Sequence, residues 1–332
     1  MISWNYRRVL VLGAGASCPY GFPMGAALLT RLQEYDESLW QMLADCGFKH
    51  CQYVKFIRAL SCQEYSSIDE FLIAQEEHRE IGKAALASTL IRLERPERLE
   101  TDSTPSDWYT SFLSTRNWSC DDALSREWNI PFIITFNYDR SLEYATLRYS
   151  REVLGRSPGI GRITVERDSL DLVAEAFVID CMPILHVYGH LGVLPQFDSP
   201  GGMYGVRRDY DPTVDVSSIR AAREEIKLIG DAAISMWRVM LAQSAIRCAK
   251  RIDFIGFGFH QSNCALLFPP HMCVDPEINL AATAYGESMT RREEMMLTLP
   301  ENDDDRTAIR SRLLLHKPHV DAKAFVEVEM QA

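Results

Sequence analysis

The feature that most constrains this chain is an apolar run that breaks straight into glycine. Arg8-Val9-Leu10-Val11-Leu12 is followed by Gly13-Ala14-Gly15-Ala16-Ser17, and shortly afterwards by Gly21-Phe22-Pro23. An uninterrupted apolar run of this length suits a strand buried on both faces, and such strands belong to parallel sheets covered by helices. The same sign recurs downstream. Residues 131–136, 182–188, 251–256 and 278–284 are apolar and flanked by glycine, proline or asparagine. Helical spacing fills the intervals, notably at 24–35 and 217–250. Strands separated by helices predict an α/β fold with a Rossmann-like, parallel, doubly wound sheet.

Between 36 and 129 strand-like alternation is scarce. Phe71, Ala74, Gln75 and His78, and then Ile81, Ala84, Ala85 and Ser88, carry helical spacing instead. We read a helical subdomain inserted into the core, with an internal loop at 99–106, and a second loop and helical insertion at 198–250. The acidic run Asp303-Asp304-Asp305 reads as a solvated loop.

Composition narrows the function classes. A chain of 332 residues with 47% hydrophobic content can bury one large core or two modest ones. A net charge of -11 argues against a surface devoted to nucleic acid, which needs a concentrated excess of Lys and Arg. The nine cysteines never form a C-x-x-C, so neither a zinc knuckle nor a thioredoxin-type pair is indicated, and His316 and His319 lack accompanying ligands at metal spacing. No metal is expected. The opening residues lack the apolar region of a signal peptide, and no apolar stretch reaches the roughly 18 residues of a membrane span. The expected location is the cytoplasm, without membrane contact.

Four strand ends carry the candidate chemistry. In the first, Gly13, Ala14, Gly15 and Ser17, with Phe22 and Pro23 in the next turn, suit the approach of a pyrophosphate to backbone N–H groups. Cys18 stands where a dehydrogenase fingerprint wants its third glycine, which weakens a hydride-transfer reading. In the second, Thr135, Asn137 and Asp139 lie two apart and can converge on one ligand; Asn137 and Asp139 also suit a cap and turn before a helix. In the third, His186, Tyr188 and His190 share a face if the strand runs that far, with Gly189 ending it. In the fourth, Gly256 and Gly258 allow close approach of a ribose or phosphate, and Ser262 and Asn263 supply hydrogen bonds.

Taken in this order, the four segments resemble the sirtuin-like NAD hydrolases, specifically the bacterial branch of antiphage defence that lacks the zinc module. Ser67-Ile68-Asp69-Glu70-Phe71-Leu72 and Ala282-Thr283-Ala284-Tyr285-Gly286 are also similar to segments of that branch. The resemblance runs from about Arg8 to Val326 and implies a single sirtuin-like domain over 1–332. It departs from the family at Tyr188, where the family carries a histidine directly before the glycine. The absence of paired C-x-x-C motifs puts deacylation of acyl-lysine in doubt.

The resemblance implies cleavage of NAD into nicotinamide and ADP-ribose, with NAD as substrate. Nicotinamide leaves as a neutral ring, so the protein needs no general acid; it must hold the glycoside and deliver water. Asn137 is expected to orient water and the ribose hydroxyls, and Asp139 to hold the carboxamide. His186, favoured over His190 because it shares the face of Tyr188 within the strand, is expected to accept a proton. Two other readings stay open: binding of NAD or ADP-ribose without hydrolysis, and ADP-ribosyl transfer. With no sensor domain evident, activation is expected from homo-oligomerisation or from a partner chain of ATPase or Argonaute-like type.

Overall fold

The computed structural model describes residues 8–62, 65–100, 104–115, 131–155, 160–167, 170–179, 182–196, 207–228, 232–269, 272, 277–284, 289–297, 313–317 and 319–330. Its centre is β1 (Arg8–Leu12), whose Val9, Leu10 and Val11 are fully buried. On one side β1 pairs in parallel with β2 (Phe132–Thr135), and on the other with β6 (Arg251–Ile255). Beyond β2 lies β5 (Met182–His186); beyond β6 lie β7 (Asn279–Ala282) and β8 (Leu313–Leu315), all parallel. Taken by order of appearance, the parallel strands run third, second, first, fourth, fifth, sixth, the order of dinucleotide-binding sheets. The fold is therefore the expected Rossmann-like α/β architecture.

The sheet is not wholly parallel. A hairpin of β3 (Ile160–Arg167) and β4 (Leu170–Ile179) adds an antiparallel edge through β4 and β5, giving the order β3-β4-β5-β2-β1-β6-β7-β8. Mixed sheets with such an edge are common in doubly wound folds.

The described part of the first insert carries helices and no strand. It comprises α3 (Glu37–Asp45), α4 (His50–Cys62), α5 (Ile68–Ala74), α6 (Arg79–Ile91) and α7 (Trp108–Ser114), reached from α1 (Ala14–Ser17) through α2 (Gly25–Gln33). After β2 comes α8 (Ser141–Glu152). The expected second insertion resolves into two different things. The helix α9 (Val216–Glu225) packs on α6 of the first insert, whereas α10 (Ala232–Cys248) packs on β4 and β5 within the connection from β5 to β6. That connection continues the sheet's own winding. The remaining helices are α11 (Gln261–Leu267), α12 (Met289–Leu297) and α13 (Ala322–Glu329). The acidic run at 303–305, and Tyr285 and Gly286, lie outside the described residues. Among the described residues no helix is long and apolar enough to cross a membrane.

Register aligns the strand ends. Leu12 pairs with Thr135 and Ile255, and Thr135 with His186. The loops after β1, β2, β5 and β6 thus leave the sheet at one level. In open α/β sheets ligands bind outside the carboxyl ends of the strands where the order reverses, which here is between β1 and β6.

Candidate active site at the strand ends

The two loops at the reversal point are locked together. Gly13 N–H donates to the Ile255 carbonyl at 3.1 Å, and Gly15 N–H to the Gly256 carbonyl at 3.0 Å. A Cβ on Gly13 would sit 2.5 Å from the Gly256 oxygen, and one on Gly256, whose φ is +58°, would sit 2.1 Å from Ala16 N. The glycines are needed here for contact between loops. This corrects the expectation that Gly13 and Gly15 present their N–H groups to a phosphate; Ala14 and Gly15 supply the partly exposed rim of the loop. Thr283, after β7, accepts the Gly256 N–H on its hydroxyl at 2.8 Å, so the A-T-A segment fixes the same turn.

Asn137 is the one residue between 131 and 143 that is not buried. Its Nδ2 donates to the Gly13 carbonyl at 2.9 Å and to Ser17 Oγ at 3.0 Å, while its backbone N–H donates to Thr135 Oγ1 at 3.1 Å. With the donors turned inward, Oδ1 is the atom offered outward. Ser17, itself buried, donates onward to Asp139 Oδ2 at 2.7 Å. Thr135, Asn137 and Asp139 do converge, but Asn137 and Asp139 meet on the Ser17 hydroxyl. Asp139 Oδ1 accepts from Ser141 N–H at 3.1 Å and from the Ser141 hydroxyl. Both carboxylate oxygens are therefore engaged within the protein, which argues against the expected contact with a carboxamide. Burial pushes this carboxyl above its ordinary range, against the pull of the two serine hydroxyls.

The insert props the glycine loop from below. Trp108 Nε1 donates to the Ala16 carbonyl at 2.7 Å, and the Tyr109 hydroxyl lies 2.7 Å from Ser141 Oγ. Tyr20 stacks on Tyr109 at 3.9 Å and donates to Asp107 at 2.9 Å. Phe22 is buried and Pro23 half-buried beside this prop. Cys18 is no nucleophile at neutral pH, because burial and then the Asp139 charge raise its thiol.

The third strand end departs most from expectation. β5 stops at His186, and the turn through Gly189, with φ +78°, breaks the two-residue period. His186 Nδ1 lies 2.8 Å from the Asn137 carbonyl and Nε2 is bonded to Glu143. Its ring lies edge-on to that of His190 at 5.4 Å, and His190 approaches Glu225 at 3.7 Å. Both histidines are 3% exposed. Tyr188 goes elsewhere: its ring meets Phe136 at 5.5 Å and its hydroxyl donates to Asn263 Oδ1 at 2.5 Å. His186 and Tyr188 do not share a face. With both ring nitrogens engaged, His186 is placed to position the Asn137 backbone, which corrects its reading as the proton acceptor. Burial, then His186, Arg238 and Arg140, hold the His190 imidazole well below its ordinary range, so it is neutral.

At the fourth end, Gly258 is half-buried, Asn263 is held by Tyr188, and Ser262 is exposed on the first turn of α11. Sequence reasoning gave no role to the group opposite. Asp69, on the first turn of α5, accepts a hydrogen bond from the Tyr138 hydroxyl. The Ser67–Leu72 segment contains that residue, yet only the folded chain brings it to β2.

Among the described residues no group of three or more His, Cys, Asp or Glu side chains is set to hold a metal ion. A cavity of about 290 Å³ lies along α8, lined by Tyr144, Arg148, Arg151, Gln196 and Tyr210 among others, and shares no lining residue with the strand-end group. No family model matches this chain, and comparison with curated proteins finds no relative.

Proposed function

We propose that this chain binds NAD across the ends of β1, β2, β5 and β6 and cleaves its nicotinamide–ribose bond, yielding nicotinamide and ADP-ribose. The observation that carries this reading is Asn137. Its amide donors are fixed on Gly13 and Ser17, so an acceptor oxygen is held outward beside the glycine loop. An acceptor in that place orients a ribose hydroxyl or a water, and preorganised orientation is most of what this reaction asks of a protein. The order of the four strand-end motifs supports the same substrate. As in the resemblance, we infer a cytoplasmic effector of antiphage abortive infection, switched on by self-association or by an ATPase or Argonaute-like partner.

Purified chain, alone and with a candidate ATPase or Argonaute-like partner, is incubated with NAD and nicotinamide release is followed. Asn137→Ala is expected to abolish release while the thermal midpoint stays within a few degrees of wild type. Retained turnover in that variant would sink the assignment.

A second reading, NAD or ADP-ribose binding without hydrolysis, is favoured by one observation: Tyr188 stands in the histidine position, and Asn263 holds its hydroxyl. Saturable binding of NAD by calorimetry with no nicotinamide released under any trigger would select it. ADP-ribosyl transfer breaks the same bond and is separated by covalent labelling of an acceptor.

A further inference from the structure

The cleavage reading leaves a proton without a destination. Both nitrogens of His186 and both oxygens of Asp139 are engaged, and His190 is buried with Glu225 beside it. We propose that Asp69, presented by α5 of the helical insert, is the carboxylate of this site: it faces the reacting ribosyl carbon and takes the proton of the attacking water. The proposal rests on the NAD-cleaving reading above.

The geometry is the first support. Asp69 Oδ1 accepts the hydroxyl of Tyr138, the residue next to Asn137, and Tyr138 lies 6.5 Å, ring to ring, from Tyr188. Asp69 is half-buried, so the carboxylate is neither sealed in the core nor fully in water. Tyr188 and Asn263 close the far side of the same aromatic shell. Three of the four strand-end groups therefore meet under the first turn of α5. The second support is chemical. Burial raises the Asp69 carboxyl to about 6, against the opposing hydrogen bond from Tyr138, and a base poised near neutral pH is the kind that proton transfer favours. Among the described residues the other ionisable groups around it are Tyr138 and Tyr188 from the strand ends and Glu70 from its own helix. Beyond Glu70 stand His260 at the start of α11 and Arg291 of α12, which bonds the Gly258 carbonyl at 2.5 Å.

In the step itself the bond between C1′ and the nicotinamide nitrogen breaks, and its electron pair stays on the ring, which leaves neutral. A water oxygen bonds to C1′, and its proton passes to Asp69 and then to solvent. The ionised carboxylate also faces a cationic pyridinium before cleavage, so it favours NAD over ADP-ribose.

The test compares wild type with Asp69→Asn, Asp69→Glu and His260→Gln, measuring kcat and KM across pH and the affinities for NAD and ADP-ribose by calorimetry. The expected result for Asp69→Asn is a kcat loss of about 100-fold or more with KM within a few-fold, as removal of a general base gives. The acid limb near pH 6 disappears with it. Asp69→Glu should restore part of kcat with a displaced limb, and His260→Gln should leave the limb in place. An unchanged kcat in Asp69→Asn, or a limb that moves only in His260→Gln, overturns the role of Asp69 while leaving NAD cleavage standing. If wild type binds NAD but never releases nicotinamide, the cleavage reading fails. The affinities then decide the placement of Asp69: a selective loss for NAD upholds it, and an equal or absent loss refutes it. A wild type that binds neither ligand overturns both.

Discussion

Ser17 joins the ends of β1 and β2 through one hydroxyl. It accepts from Asn137 and donates to Asp139, and it is 2% exposed. Ser17→Ala removes the donor from a buried carboxylate oxygen, and leaving such a group unsatisfied costs about 1–3 kcal/mol. Urea unfolding of Ser17→Ala should show a loss of that size, together with weaker NAD binding as the Asn137 amide loses one of its anchors. A midpoint equal to wild type would show that Asp139 finds another donor. Gly256 admits an equally direct test. A Cβ there meets Ala16 N at 2.1 Å, and its φ of +58° disfavours any L side chain. Gly256→Ala should cost at least the roughly 1–3 kcal/mol of such backbone strain, again read from the unfolding midpoint. Gly25, whose Cβ would meet nothing within 4 Å, is the control position.

Among the elements, the insert is tied to the core by a buried ionic clamp. Glu94, just past α6, receives Arg140 Nε at 2.9 Å and Nη2 at 2.6 Å, and pairs also with Arg208. Glu94 is 0% exposed and Arg140 1%. The same Arg140 donates to the carbonyls of Arg208 and Asp209, so one guanidinium binds the insert, the start of α8 and the segment before α9. Glu94→Gln leaves two buried guanidinium groups without their counter-charge, and breaking such a group costs about 3–5 kcal/mol. The expected outcome is loss of protection from hydrogen exchange in α6 and α9 together; an effect confined to α6 would argue against the clamp. How far the elements could be read from sequence follows from similar physics. β1, β2, β5, β6 and β7 announce themselves because burial on both faces demands apolar runs, which Asp253 interrupts in β6 with Arg8 and Arg251 as its partners. The β3–β4 hairpin escapes that rule, since Arg162, Thr164 and Glu166 and then Asp171 and Glu175 interrupt it, and β8 at three residues is too short for a period to register. The strand ends were legible as sites for the same reason the strands were. Which polar atoms remain available was not, because the partners that decide it, Glu143 for His186, Asn263 for Tyr188 and Asp69 for Tyr138, lie 43, 75 and 69 residues away.

For the whole molecule, the buried His190 and the half-buried Asp69 set opposing dependences of stability on pH. His190 stays neutral in the native state, whereas the unfolded chain takes up a proton as pH falls through about 6.5. Its contribution is present above that value and is lost below it, at up to about 1.4 kcal/mol per pH unit. Asp69, raised to about 6, holds its proton in the native state where the unfolded chain has lost it, so its contribution is present in acid and is lost as pH rises from about 4 to 6. The stability gap between His190→Gln and wild type should therefore narrow as pH falls below about 6.5, measured by denaturant titrations at stepped pH. A gap that stays constant would mean that His190 titrates as freely in the native state as in the unfolded one.

The seam between the loops after β1 and β6 bears on how this molecule can move. Gly13, Gly15 and Ala16 touch Gly256 and Phe257 backbone to backbone, so spreading the two halves of the sheet where ligands enter such folds would cost these contacts. Hinge bending across the crevice would have to break that seam, and packed interfaces switch between discrete arrangements instead of stretching. Room for a bound ligand is then sought in the insert, where α5 carries Asp69 and Glu94 follows the end of α6.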